Sequence, residues 1–140
     1  MEKKYLTIDD VSNRAKNVAI EIYDQYGSGT RIYGVPRGGI PVAWAIAAAS
    51  PSLFVVVNSP EEADVIVDDI IDSGRTFDRY TEKHKKPFYS LYRGEQNIWY
   101  VFPWEVSEEA SIEDAHVRFD QFYGSGFFNR VKAAFSHITR

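Results

Sequence analysis

The sequence predicts an α/β protein, a parallel sheet covered by helices on both faces. Three observations carry the expectation. Short apolar runs that read as strands recur at Arg31–Val35, Leu53–Val57, Asp64–Val67 and Phe88–Tyr92. Helical stretches stand between most of them, and strands that alternate with helices form crossover units whose strands lie parallel. The run Val65, Ile66, Val67 is apolar without alternation and ends abruptly in acids, the pattern of a strand buried on both faces.

In chain order, Thr7-Ile8-Asp9-Asp10 opens a helix with Thr7 as its cap. Val11, Ala15, Val18, Ala19, Ile22 and Tyr23 follow at helical spacing, and the helix is expected to end near Tyr26-Gly27-Ser28-Gly29. The strand Arg31–Val35 stops in a sharp loop, Pro36-Arg37-Gly38-Gly39. Ile40–Ser50 is an alanine-rich apolar helix with Pro41 in its first turn. Leu53–Val57 is a strand, Asn58–Glu62 a turn, and Asp64–Val67 the buried strand, with Asp68 and Asp69 at its carboxyl end. A short helix is expected from Thr76 to about Thr81, then a strand at Phe88–Tyr92. Ile112–Phe122, capped by Ser111, and Phe127–Ile138 read as helices.

With 140 residues the chain can form one compact core and is too short for two ordinary domains. Hydrophobic residues at 44% and charged residues at 26% match a soluble globular protein. A net charge of −4 argues against a nonspecific nucleic-acid binder. The absence of cysteine excludes disulfides and thiolate metal sites and is compatible with a cytoplasmic location. Met1-Glu2-Lys3-Lys4 has no apolar signal core behind it, and no run reaches membrane-spanning length, so no membrane partner is expected. Aromatic residues crowd the chain after Phe88, which suggests stacking surfaces or a subunit interface there. His84 falls in the basic run Lys83-His84-Lys85-Lys86, a solvated turn, and His116 and His137 lack a second ligand nearby in sequence.

The chemistry concentrates at residues 64–76, Asp-Val-Ile-Val-Asp-Asp-Ile-Ile-Asp-Ser-Gly-Arg-Thr. A glycine, two hydroxyls and free backbone N–H groups at a helix start make an anion site. Adjacent carboxylates upstream suit a ribose diol or a hydrated magnesium ion. This run resembles the phosphoribosyl-pyrophosphate (PRPP) signature of the type I phosphoribosyltransferases. The resemblance implies that fold, a Rossmann-like parallel sheet with helices on both faces and a small base-binding hood. It also implies that Asp68 and Asp69 hold the ribose hydroxyls, directly and with a magnesium ion through water. The loop Asp72, Ser73, Gly74, Arg75 and Thr76 would cradle the 5′-phosphate, and Asp72 would exchange the proton of the purine imidazole nitrogen.

Tyr33-Gly34-Val35-Pro36-Arg37-Gly38-Gly39-Ile40-Pro41 is the second motif, a strand ending in exposed backbone N–H groups beside a guanidinium, as a diphosphate requires. It resembles the pyrophosphate loop of the same transferases, which assigns Arg37 and Gly38 to that group and marks Pro36–Arg37 as a candidate cis peptide. Trp99-Tyr100-Val101-Phe102-Pro103-Trp104-Glu105 is the third. It resembles the base-binding segment of xanthine-guanine phosphoribosyltransferases. Carried over, Trp99 stacks on the purine, main-chain groups of Tyr100 read its exocyclic edge, and Glu105 lies beside that edge. The lysine that meets the purine 6-oxo group in the family has no match; Arg93 is the nearest residue and Lys86 a weaker one. Only Asn58–Ala63 stands where the family carries a long mobile lid.

One domain, 1–140, is therefore expected, with a core at about 31–92, a base-binding segment at about 93–105 and a helical tail at about 107–140. The resemblance implies a magnesium-dependent purine phosphoribosyltransferase acting on PRPP and a 6-oxopurine or its nucleoside monophosphate. The alternative is a non-catalytic nucleotide sensor that keeps the pocket and lacks the lid. A homo-oligomer, dimer or tetramer, is expected, with a neighbouring subunit lending the missing cover.

Overall fold

A computed structural model of the chain describes residues 1–49 and 52–105. The helices expected at 112–122 and 127–138, with Ser111, His116, His137 and the tail as a whole, lie outside the described residues. Four strands form one parallel sheet: β2 (Thr30–Gly34), β3 (Phe54–Val56), β4 (Val65–Ile71) and β5 (Phe88–Arg93), in the order β3-β2-β4-β5. Two more, β1 (Glu2–Tyr5) and β6 (Ile98–Val101), make a separate parallel pair, with Lys3 opposite Trp99. The helices are α1 (Ile8–Tyr26), α2 (Gly39–Ala49) and α3 (Arg75–His84).

Helix α1 forms as its sequence dictates. Thr7 accepts a hydrogen bond from the Asp10 N–H at 3.0 Å, and the Asp10 carboxylate accepts one from the Thr7 N–H at 2.9 Å, closing a capping box. Val11, Ala15, Val18, Ala19 and Ile22 are buried, while Tyr23 is 45% exposed and lies outside the apolar stripe. Gly27 ends the helix at φ +78°, donating to the Tyr23 carbonyl at 2.8 Å.

Strand alternation assigns the helices to opposite faces. Ile32, Val65 and Val67 join one core with Val18 and Ile22 of α1 and Val42 and Ile46 of α2. Their out-of-phase neighbours Tyr33, Ile66 and Phe88 share the other face, where Tyr80 and Phe77 of α3 meet Tyr33 and Phe88 at centroid distances of 6.3 and 5.3 Å. The same core reaches the β1–β6 pair through Tyr92, Tyr100 and Phe102. No described helix is long and apolar enough to cross a membrane.

Three elements depart from the sequence reading. Strand β4 runs through Ile71 because Ile70 and Ile71 continue the ladder opposite Tyr92 and Arg93, so Asp68 and Asp69 sit within a strand and not beyond its end. Helix α3 continues to His84, past the expected end near Thr81, until Lys85 adopts φ +53°. Lys83 and His84 are therefore its last turn. Strand β1 carries no hydrophobic alternation; it is placed by backbone pairing to β6.

The connection from β3 to β4 is short and tied down. The Lys86 ammonium donates to the carbonyls of Pro60 at 2.6 Å and Glu61 at 2.9 Å. Asp64 accepts from the Arg31 backbone and guanidinium at 2.8, 3.2 and 3.0 Å, which lowers its pKa below the ordinary carboxylate value. These contacts hold the turn at the amino end of β4, whereas the acids Asp68 and Asp69 lie toward its carboxyl end.

Candidate functional site

The loops at the carboxyl ends of β2, β4 and β5 converge. After β2, the chain turns through Pro36–Gly38 into α2 with a cis peptide between Pro36 and Arg37. The turn is close enough that only glycine fits. A Cβ on Gly34 would meet the Gly39 carbonyl and lie 2.9 Å from the Ile40 nitrogen, and one on Gly39 would lie 2.7 Å from the Val67 carbonyl and 3.3 Å from the Asp68 Cα. A Cβ on Gly38 would run into the Asp69 carboxylate. The loop backbone is thus packed directly on the acid pair. Arg37 is exposed at its tip.

Asp68 is 8% exposed and accepts a hydrogen bond from the Asp69 N–H at 2.8 Å; Asp69 in turn accepts from the Ile70 N–H at 2.8 Å. Burial, reinforced by the neighbouring Asp69 charge, pushes the Asp68 carboxyl up to about 7. A buried acid beside a second acid is a site that favours a hydroxyl, a proton or a cation.

Beyond β4, Gly74 takes φ +85° and opens α3 with no side-chain cap on the helix N-terminus. The Ser73 hydroxyl accepts from the Arg75 N–H at 3.3 Å. A cavity of about 230 Å³ lies here, lined on its polar side by Asp68, Asp69, Asp72, Ser73, Gly74 and Thr76 and on its apolar side by Phe77 and Phe88. An uncapped helix start facing hydroxyls suits an anion. Arg75 is exposed and does not line that cavity.

On the other flank, a Cβ on Gly94 would meet the Asp72 carboxylate, and the Gly94 N–H donates to the Ile71 carbonyl at 2.8 Å. Arg93, exposed at the end of β5 and paired with Ile71, precedes Gly94 and lines a different cavity, with Arg14 and Glu21 of α1. Lys86 is not available to a base there, because its ammonium is spent on Pro60 and Glu61 at the opposite end of β4. Tyr100 is 7% exposed; its ring packs on Tyr92 at 5.0 Å and its hydroxyl donates to Glu95 at 2.7 Å, which raises its pKa. Trp104 stacks on Phe102 at 5.1 Å and is a packing residue, while the Glu105 N–H donates to the Phe102 carbonyl at 3.1 Å. Trp99 is 42% exposed, with the Lys3 ammonium 4.9 Å from its ring centroid. The contacts that gather Gly38, Asp69, Asp72 and Gly94 do not include it.

Three contributors escaped the sequence reading. Gly94 abuts Asp72, and its signal was a glycine directly after a strand; Phe77 and Phe88 line the cavity, and neither carries a chemical mark in sequence.

A scan against protein-family models found no match, and neither did a search of curated proteins. Solved structures do match in fold. A purine phosphoribosyltransferase from Pyrococcus horikoshii superposes with TM-score 0.57 at 23% identity, over 79% of this chain and 99% of that one. A Neisseria gonorrhoeae protein with bound ppGpp gives 0.56 at 14% identity, over 76% and 91% of the two chains. The Helicobacter pylori xanthine-guanine-hypoxanthine phosphoribosyltransferase gives 0.54 at 15% identity, over 75% and 95%. At such identities the likeness is one of fold.

Proposed function

We propose that this chain, which has the fold shared by purine phosphoribosyltransferases, transfers the phosphoribosyl group of PRPP to a 6-oxopurine (guanine, xanthine or hypoxanthine) and releases pyrophosphate. The observation that carries the reading is the packing of Gly38 on Asp69, which sets the Arg37–Gly38 turn against the same acid pair that lines the cavity of the Ser73–Thr76 loop. In this reading Ser73, Gly74 and Thr76, which line the cavity, hold the 5′-phosphate, Asp68 and Asp69 the ribose hydroxyls, and Arg37 and Gly38 the pyrophosphate. The bond from ribose C1 to the pyrophosphate oxygen breaks, a bond from C1 to the purine imidazole nitrogen forms, and Asp72 takes that nitrogen's proton. Arg93, the residue before Gly94, donates to the 6-oxo group.

Among the described residues no group of three or more His, Cys, Asp or Glu can cage a metal. The Asp68–Asp69 pair nevertheless fits a hydrated magnesium ion that arrives with the diphosphate, because a cation relieves the repulsion between the two carboxylates. When bound, the ion neutralises charge on the departing pyrophosphate.

A second reading, a nucleotide sensor, draws on the short β3–β4 turn. The turn is held to Lys86 and Arg31 at the amino end of β4, away from the acids, and exclusion of water is what a lid contributes to catalysis. A neighbour in fold binds ppGpp, a guanine nucleotide, which is the ligand class such a sensor would take. Incubation with PRPP, magnesium and each purine separates the two. Slow pyrophosphate release with a 6-oxopurine is expected; GMP binding with no pyrophosphate from any purine would favour the sensor.

The base assignment has its own test. If Trp99 is the stacking floor, GMP quenches its fluorescence, and Trp99→Ala weakens GMP binding by about 1–3 kcal/mol. Unchanged affinity in that variant would remove Trp99 from the base site.

A further inference from the structure

Glu95 is an exposed acid held in one place from two sides. Its backbone carbonyl accepts from the Ile98 N–H at 3.3 Å, closing the turn that joins β5 to β6. Its carboxylate accepts through Oε1 from the hydroxyl of the buried Tyr100 at 2.7 Å. Tyr100 in turn is fixed by the packing of its ring on Tyr92. Among the described residues no lysine or arginine pairs with Glu95, and Arg93 has no ion-pair partner either. One carboxylate oxygen, Oε2, therefore remains as an acceptor whose direction is already set.

Glu95 and Arg93 line one cavity of about 620 Å³ between α1 and β5. This cavity adjoins the acid-lined one, because Ile71, the residue before Asp72, lines both. A base carried by a ribose at Asp68 and Asp69 thus has beside it a donor, Arg93, and an oriented acceptor, Glu95. Guanine matches that pair along one edge. Its 6-oxo group accepts, and N1–H and the 2-amino group next to it both donate. Hypoxanthine lacks the amino group. Xanthine puts a carbonyl oxygen in its place, which would face the carboxylate. Hydrogen bonds to an ionised acceptor are the strong ones, so the 2-amino group decides the preference.

We propose that Glu95, positioned by the Tyr100 hydroxyl, selects guanine over hypoxanthine and xanthine by accepting from N1–H and the 2-amino group while Arg93 donates to the 6-oxo group. The inference rests on the purine site proposed above and narrows its three bases to one. It gives Glu95 the exocyclic edge that the sequence reading gave to Glu105.

Calorimetric titration of the full chain with GMP, IMP and XMP tests it. The native protein is expected to bind GMP about tenfold or more tightly than IMP, with XMP weakest. Glu95→Ala is expected to keep native circular dichroism and to bind GMP no better than IMP. Tyr100→Phe, which keeps the carboxylate and frees it, is expected to narrow the preference without changing the fold. Equal native affinities for GMP and IMP, or a preference that survives Glu95→Ala, would overturn the inference and leave the transferase reading standing. A full preference in Tyr100→Phe would contradict the positioning role. A native protein that binds none of the three nucleotides would overturn the purine site itself, and the inference with it. Should Glu95→Ala fail to fold, Glu95→Gln keeps an oxygen for the Tyr100 hydroxyl and gives the same reading, loss of the GMP preference supporting the inference and its survival contradicting it.

Discussion

Asp68→Asn is expected to stabilise the folded protein at pH 8 by about 2 kcal/mol, while weakening its hold on ribose. The carboxyl is buried and faces Asp69, and its pKa rises from 3.8 to about 7 on folding. The folded state therefore keeps a proton that the unfolded chain has already lost between those values. The favourable contribution is complete below pH 4, declines as pH climbs through the window, and is gone above about 7, where the protein carries a buried charge. A tenfold change in proton affinity corresponds to about 1.4 kcal/mol, reduced here by residual solvent access. Asparagine keeps an oxygen to accept the Asp69 N–H and removes the charge. Thermal unfolding of both proteins at pH 4 and pH 8 checks this: the variant should gain several degrees at pH 8 and little at pH 4. An equal gain at both values would show that the carboxyl is not the titrating group. The expected exchange of binding for stability is common where a site holds an unfavourable charge.

Gly34→Ala is expected to act in the opposite direction, costing about 1–3 kcal/mol or more. Its new Cβ would meet the Gly39 carbonyl, and the Ile40 nitrogen at 2.9 Å, both of them backbone atoms that cannot rotate away. Gly39 has no room to retreat, because it already packs on the Val67 carbonyl and the Asp68 Cα. Chemical denaturation should show a lower midpoint with the slope unchanged. Because the displaced segment is the start of α2, the Arg37–Gly38 loop should shift with it, and PRPP binding should weaken in the fraction that remains folded. A midpoint equal to the native one would mean that strand and helix can separate without loss.

What could be read from the sequence was chemistry packed into consecutive residues. The acids after Val67, the Asp72–Thr76 loop and the Arg37-Gly38-Gly39 turn each announce a requirement within a few positions, and the Val-Ile-Val run fixes the parallel strand that carries them. The capping box of Thr7 and Asp10 is local in the same way. What escaped was set by partners distant in sequence. Glu2-Lys3-Lys4-Tyr5 becomes a strand only because β6 offers its edge. Strand β4 extends to Ile71 only because Tyr92 and Arg93 continue the ladder. Lys86, a weaker candidate for a base contact in the sequence, is held instead by two carbonyls that precede it by 26 and 25 residues. Trp104 and Trp99 have similar sequence surroundings, yet one stacks on Phe102 in the core and the other stands half exposed beneath Lys3.

The central claim is that two loops and one acid pair form a single site for a phosphoribosyl group. Calorimetric titration of the native chain with PRPP and with GMP, in the presence of magnesium, tests it most directly, alongside the double variant Asp68→Asn/Asp69→Asn. The account predicts saturable binding of both ligands by the native protein and a strong loss of both in the variant, whose fold should be intact by circular dichroism. A native protein that binds neither ligand, or a variant that binds both as well as the native chain does, would contradict it.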